Sequence, residues 1–239
     1  MDRMQMIFRR KSVRSYTGEP VSAELLSEIY ALPLTPLYPE IAVRWEIVGR
    51  NQVKCLCPWT TPQVITIYSE ETDGYLENVG FLFQQLELQL QAMGLGVCWL
   101  GMGRLNQANA PQADDNLRFV IMLAFGHPKG DALRPDAESF KRKPMTAISD
   151  QPDSRLEPAR LAPSSVNSQP WYFLHDGDMI HVFCAYSGIL GRSLSEMNRI
   201  DIGIALSHLW ICNTENFRFF RTETPPSLRG YGYMGTIII

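Results

Sequence analysis

The sequence predicts an α+β fold of short strands and two long helices, laid out in two successive halves. Three observations predict it. Val79, Leu82, Phe83, Leu86, Leu90 and Met93 recur at helical spacing over residues 76–93. Short β-branched or apolar runs at 63–68 and 118–125 read as strands. The order helix, Pro-containing loop, Trp strand, strand, long helix then occurs a second time.

Each element follows from local chemistry. Residues 3–9 read as a short helix. Residues 22–31 read as another, with Ser22 as cap, Glu24 and Glu28 near its start, and Leu25, Leu26 and Ile29 as its apolar stripe. Strands are expected at 45–49 and 63–68, followed by the helix over 76–93 with Gly94 placed to close it. The run at 118–125 lacks polar alternation and reads as a strand buried on both faces. Residues 127–144 carry His-Pro, Lys-Gly-Asp, Arg-Pro-Asp and Lys-Arg-Lys-Pro, and read as an exposed connector. A helix near 155–161, strands near 171–174 and 179–185, and a helix over 199–215 follow. The tail 231–239 ends in three isoleucines. An exposed apolar tail invites aggregation, so it is expected to pair as a strand.

The repeat has three sequence anchors. An offset of 123 superposes Gly80 on Gly203, 126 superposes Trp45 on Trp171, and 127 superposes Pro36 on Pro163. A tandem duplication accounts for them, with halves at 1–143 and 144–239 forming one compact pseudo-symmetric unit. Coincidence of three short anchors is the alternative.

Composition narrows the function. A chain of 239 residues with 45% hydrophobic content can bury a sizeable core as one large or two small domains. A net charge of −3 argues against nucleic acid as partner. No window approaches the roughly 20 apolar residues of a membrane span, and the start has no apolar secretory core. The cysteines (55, 57, 98, 184, 212) are odd in number and lack Cys-x-x-Cys spacing, which points to a reducing cytoplasm rather than a disulfide framework. The histidines at 127, 175, 181 and 208 are scattered, so no metal site is expected.

Three segments carry candidate chemistry. In Arg9-Arg10-Lys11-Ser12-Val13-Arg14-Ser15-Tyr16, an extended chain would turn Arg10, Ser12 and Arg14 to one side. Two guanidinium forks and a hydroxyl suit a phosphate monoester; a solvated basic turn is the plainer reading. Gly94-Leu95-Gly96-Val97-Cys98-Trp99-Leu100-Gly101 follows a helix rather than opening one, so it is no dinucleotide loop. It reads as a helix end turning into a strand, whose glycines also permit close approach to a flat ring. Ala162-Pro163-Ser164-Ser165-Val166-Asn167-Ser168-Gln169-Pro170-Trp171 is crowded with small hydrogen-bonding groups between prolines; the plainer reading is a polar turn before a strand.

Arg-x-Ser-x-Arg, Gly-Leu-Gly-x-x-Trp-x-Gly and Pro-Ser-Ser-x-Asn-x-Gln-Pro-Trp together resemble the signature segments of the FMN-dependent nitroreductase family. Phe125-Gly126-His127-Pro128 and Lys141-Arg142-Lys143-Pro144 add to the likeness. The resemblance implies a nitroreductase-like α+β fold with mainly antiparallel sheets flanked by helices. It implies that Arg10, Lys11, Ser12 and Arg14 hold the FMN phosphate with Lys141 or Arg142, that Leu95 and Gly96 lie along the flavin, and that Pro163, Ser164, Ser165, Asn167 and Gln169 address its ribityl chain or ring edge. The flavin carries the chemistry, so no side chain is named as acid or base. The implied activity is NAD(P)H-driven reduction of a nitroaromatic, quinone or similar small acceptor. A flavin-binding carrier or sensor without turnover, and a non-flavin interaction module, are the competing readings.

The order of motifs departs from the family. There, the Ser-Ser-x-Asn segment follows the Arg segment within one copy; here that slot holds Pro36-Leu37-Tyr38-Pro39-Glu40, and the motif stands in the second half. The family builds its site across a dimer. The departure therefore implies a dimer fused into one chain, with one FMN per chain, a monomer able to dimerise further. The aromatics Phe140, Trp171, Tyr172 and Tyr186 are candidates for a substrate pocket or for core.

Overall fold

The computed structural model describes residues 2–55, 61–106, 116–186 and 192–239, and of 192–194 only the backbone; Cys57 lies outside the described residues. The chain divides into two compact units: unit 1 is Met1–Tyr75 with Gln85–Asp136, and unit 2 is Leu76–Gln84 with Ala137–Ile239.

In unit 1, α1 (Arg3–Ile7) is started by a reciprocal capping box between Asp2 and Gln5. It stops two residues before the expected end, because the chain must extend to bring Ser12 and Val13 alongside the sheet. Helix α2 (Ala23–Tyr30) is capped as expected, with Ser22 Oγ accepting from the Leu25 amide at 3.3 Å. The sheet contains β1 (Val43–Gly49), β3 (Gln63–Ser69), β4 (Gly96–Leu100) and β6 (Arg118–Gly126) in the order β1-β3-β6-β4, all antiparallel. A small antiparallel pair, β2 (Val53–Lys54) with β5 (Arg104–Leu105), stands apart from it. The last six residues of β6 are buried while its first three are not, so the expected two-faced burial holds only for its second part.

Helix α3 (Tyr75–Ala92) is contributed to both units, residues 76–84 to unit 2 and 85–92 to unit 1. The expected stripe is buried except for the half-buried Met93, yet so are Gln84, Gln85, Glu87 and Gln91 on the remaining face. Its end is closed at Gly94, whose φ of +86° is open to glycine at no steric cost.

Unit 2 contains α4 (Glu157–Arg160), β7 (Trp171–Asp176), β8 (Met179–Ala185), α5 (Arg192–Cys212), β9 (Arg218–Phe220) and β10 (Tyr231–Ile238). The expected helix near 155–161 is a 3-10 turn running into the four-residue α4. Helix α5 begins seven residues before the expected start, because Arg192–Asn198 is a polar first stretch ahead of the apolar run. The tail pairs as expected: β10 lies between β8 and β9, with Met234 to Ile237 buried. Strand β9 has no clear signal in the sequence.

The two sheets share one topology. In each, the strands stand in the order first, second, fourth, third, and the long helix enters between the second and third. Two sets of contacts recur at an offset of 123. Within unit 2, a Cβ on Gly80 would collide with the Ile200 carbonyl, and one on Gly203 with the Glu77 carbonyl, so α3 and α5 touch backbone to backbone. In unit 1, Gln85 Nε2 donates to the Thr35 carbonyl at 2.7 Å; in unit 2, His208 Nδ1 donates to that of Pro158 at 2.9 Å.

Candidate functional site

The expected site residues fall into two clusters, one in each unit. In unit 1, the chain leaving α1 runs extended: Ser12 bridges Val97 of β4 in parallel, and the Val13 amide donates to the Val97 carbonyl at 2.9 Å. Beyond it, Ser15 and Thr17 exchange backbone bonds with Lys129 and His127, just past β6. This extension puts Arg10 and Ser12 on one side, as the two-residue period requires. Arg10 Nη2 donates to Ser12 Oγ at 3.0 Å.

Arg10 is 1% exposed. Its Nε donates to Glu87 Oε1 at 3.0 Å, and Nη2 lies 2.9 Å from the same oxygen. Glu87 also accepts from Gln91 Nε2 at 2.7 Å, and Gln91 Oε1 accepts the Lys11 amide at 3.1 Å. Two inward-facing polar residues of α3 thus fix the basic segment. Lys11 directs its ammonium to the Asp131 carbonyl at 3.0 Å rather than to the face shared by Arg10 and Ser12. Arg14 is exposed and close enough to Cys98 and Tyr16 to oppose the rise that burial forces on both their pKa values.

Leu95 and Gly96 are buried. A Cβ on Gly96 would lie 2.6 Å from Val13 Cγ1, so packing of the basic segment on β4 already requires this glycine, with no flat ring invoked. Arg134, which the sequence reading missed, donates its amide to the Arg9 carbonyl at 2.7 Å. Burial and the charge of Arg10 push its guanidinium down, so cationic groups gather here.

In unit 2, the segment 141–143 and the loop 163–169 are built on each other. Arg142 Nη1 donates to Asn167 Oδ1 at 2.7 Å, and Asn167 Nδ2 to the Lys141 carbonyl at 3.0 Å. Arg142 also reaches the Leu161 carbonyl, at 3.3 and 3.2 Å. This guanidinium, expected at a phosphate, is engaged in shaping the loop. The Lys143 amide donates to Gln169 Oε1 at 2.7 Å and its ammonium to the Gln169 carbonyl at 3.0 Å. Ser164 Oγ accepts the Gln169 amide at 2.9 Å, and Ser165 Oγ donates to Met197 Sδ at 3.2 Å. Pro163 is buried, while Val166 and Asn167 form an exposed tip. Phe140 and Trp171 belong to the core, Tyr172 packs against Tyr231 with tilted rings and centroids 5.4 Å apart, and Tyr186 is exposed.

The buried acids Glu87 and Asp201 also escaped the sequence reading. Each interrupts an apolar helical run, Leu86-Glu87-Leu88 and Ile200-Asp201-Ile202, and a charge at such a position is rarely buried unless partnered. Among the described residues no helix is long and apolar enough to cross a membrane, and Cys55, Cys98, Cys184 and Cys212 are free thiols.

An antiparallel sheet interrupted by a long helix, with an arginine segment laid along its third strand, is the architecture of a nitroreductase-like α+β protein. A crystal structure from Thermotoga maritima named as a "putative nitroreductase" superposes with a TM-score of 0.66 at 20% identity, covering 99% of this chain and 92% of that one. The sequence profile described as "Putative TM nitroreductase" matches residues 2–213, and the chain belongs to that family. Two further structures are an FMN-dependent nitroreductase from Clostridium difficile R20291 and a "putative nitroreductase" in complex with FMN from Desulfovibrio desulfuricans. They are 17% and 21% identical, with TM-scores of 0.43 and 0.38; each covers 60% of this chain and 97% or 98% of its own. No curated protein matches the sequence.

Proposed function

We propose that this chain is an FMN-dependent oxidoreductase that reduces a nitroaromatic, quinone or similar small acceptor at the expense of NADH or NADPH. The observation that carries the reading is the Arg10–Ser12–Arg14 segment of unit 1. Its extension beside β4 sets a guanidinium fork against a hydroxyl, with a second guanidinium exposed two residues on. This donor set fits a phosphate monoester, and the Clostridium protein is FMN-dependent while the Desulfovibrio protein is in complex with FMN. Lys141 and the loop residues Ser164, Ser165, Asn167 and Gln169 of unit 2 are further candidates for flavin contact, with Arg142 shaping the loop that presents them.

When bound, FMN would supply the redox chemistry, taking two electrons from the nicotinamide and passing them to the acceptor. Arg10 binds and orients the phosphate, and Glu87 holds that guanidinium in place. Arg14 would supply a second cation for the phosphate. We infer further that halves 1–143 and 144–239 arose by duplication, with one FMN per chain. The shared strand order and the contacts recurring at an offset of 123 support the duplication.

Charge-assisted hydrogen bonds contribute about 1.5–3 kcal/mol each. Arg14→Ala is therefore expected to weaken FMN binding roughly tenfold to a hundredfold at low salt, while the melting temperature hardly moves. Unchanged affinity would remove Arg14 from the site. Steady NAD(P)H oxidation by the FMN-loaded protein with a nitro or quinone acceptor distinguishes an enzyme from a carrier, which would be reduced once and stop.

A further inference from the structure

Loop 163–169 is held in a conformation that its own residues resist. Val166, Asn167 and Gln169 have φ of 47°, 58° and 49°. Non-glycine residues occupy this left-handed region only where their surroundings over-determine it, and a β-branched valine resists it most. Most of the restraining bonds come from the loop itself and from 141–143: Ser164 Oγ with the Gln169 amide, Gln169 with Lys143, and Asn167 with Lys141 and Arg142. They make the loop self-consistent but do not tie it to the helix beneath.

Asp201 of α5 supplies that tie. It is 4% exposed, and its carboxyl oxygens lie 3.1 and 3.0 Å from the Ser165 amide nitrogen, the residue before the strained tip. Met197, one turn earlier on α5, receives the Ser165 hydroxyl. We propose that Asp201 is a positioning residue: by pinning the Ser165 amide to α5, it holds the Val166–Asn167 tip in the conformation that meets FMN. The part of this claim that concerns FMN rests on the function proposed above; the pinning of the loop does not.

Burial pushes the Asp201 carboxyl well above the usual carboxylate range, with the Ser165 amide opposing. The Cys184 thiol of β8 feels the same carboxyl: burial pushes it up, Asp201 and Glu77 add to the rise, and Arg199 opposes it. An apolar side chain would be buried at less cost here, so the acid is explained by what it binds.

The test compares Asp201→Asn, which keeps an acceptor for the Ser165 amide, with Asp201→Ala, which removes it. Should the alanine variant not fold, Asp201→Val takes its place. Two quantities are measured on the full chain: the FMN Kd by quenching of flavin fluorescence, and amide hydrogen exchange at Ser165 to Gln169 in the cofactor-free protein. Loss of the acceptor is expected to raise Kd about tenfold or more and to speed exchange by a similar factor. The asparagine variant is expected to stay within about threefold of the unsubstituted protein on both, since a neutral acceptor of the same shape serves the same amide. Equal exchange in the alanine and unsubstituted proteins would overturn the proposal, as would an asparagine variant as impaired as the alanine one. If the unsubstituted protein binds no FMN, the functional reading fails, and the exchange data alone then decide whether Asp201 pins the loop.

Discussion

Removing Glu87 isolates the energetics of the basic segment. The Arg10 and Glu87 side chains are 2% and 0% exposed, and the pair is closed by contacts of 3.0 and 2.9 Å to one carboxylate oxygen. Glu87→Ala leaves a guanidinium buried without its counter-charge, which costs about 3–5 kcal/mol. For a chain of this length each kcal/mol lowers Tm by about 2–4 °C, so a fall of roughly 6–20 °C is expected. Replacing both partners, as in Arg10→Met with Glu87→Leu, removes the stranded charge and is expected to restore most of the loss. The two variants separate stability from binding: the double variant folds well yet loses FMN affinity, because it lacks the Arg10 guanidinium. Calorimetry gives the first quantity and flavin titration the second. A Glu87→Ala loss below about 1 kcal/mol would refute the buried-pair account, and full FMN affinity in the double variant would refute the role given to Arg10.

Other consequences follow from the same geometry. Gly203→Ala places a methyl group against the Glu77 carbonyl where α3 and α5 meet; overpacking is expected to outweigh the helix-propensity gain and cost about 2 kcal/mol by urea denaturation, and a neutral result would mean that the crossing is looser. Val166→Asn replaces a β-branched residue at φ 47° with one that tolerates the left-handed region; a stability gain of about 1 kcal/mol is expected, and a loss would show that Val166 packs against something. Asp153 ties acid stability to one site. Burial raises its pKa, but hydrogen bonds from Arg155 and His175 more than offset this and bring it to about 2. Its contribution is therefore complete above the ordinary carboxylate range and is lost as pH falls from about 4 towards 2. Asp153→Asn should lower Tm at pH 6 and make no difference near pH 2; an equal effect at both would point to packing rather than charge.

The elements legible in the sequence are those whose burial is one-sided or whose ends carry caps. Ser22 marked α2, Gly94 marked the end of α3, and the isoleucine tail marked β10 as a paired strand. The three-residue β9 left no signal, because its side chains alternate between exposed and half-buried and only its backbone bonds to β10 define it. The start of α5 was missed because its first residues are polar and periodicity begins later. The site was legible as residue types but not as partnerships. Arg10, Ser12 and Asn167 could be read from their motifs. That Arg10 would be held by Glu87, that Gly96 would be required by Val13, and that Asp201 would hold Ser165 all depend on contacts 36 to 83 positions apart in sequence. Such pairings are set by the packing of α3, α5 and β4, which local spacing does not encode.

The central claim is that this chain binds FMN, with the arginine segment of unit 1 proposed to hold its phosphate. The direct measurement is the visible absorption spectrum of the purified protein after saturation with FMN and removal of the excess, with flavin counted per chain. The account predicts one flavin per chain, reduced by Arg14→Ala and by Asp201→Ala. Two flavins per chain would contradict the proposed stoichiometry, and none at saturating FMN would contradict the cofactor itself.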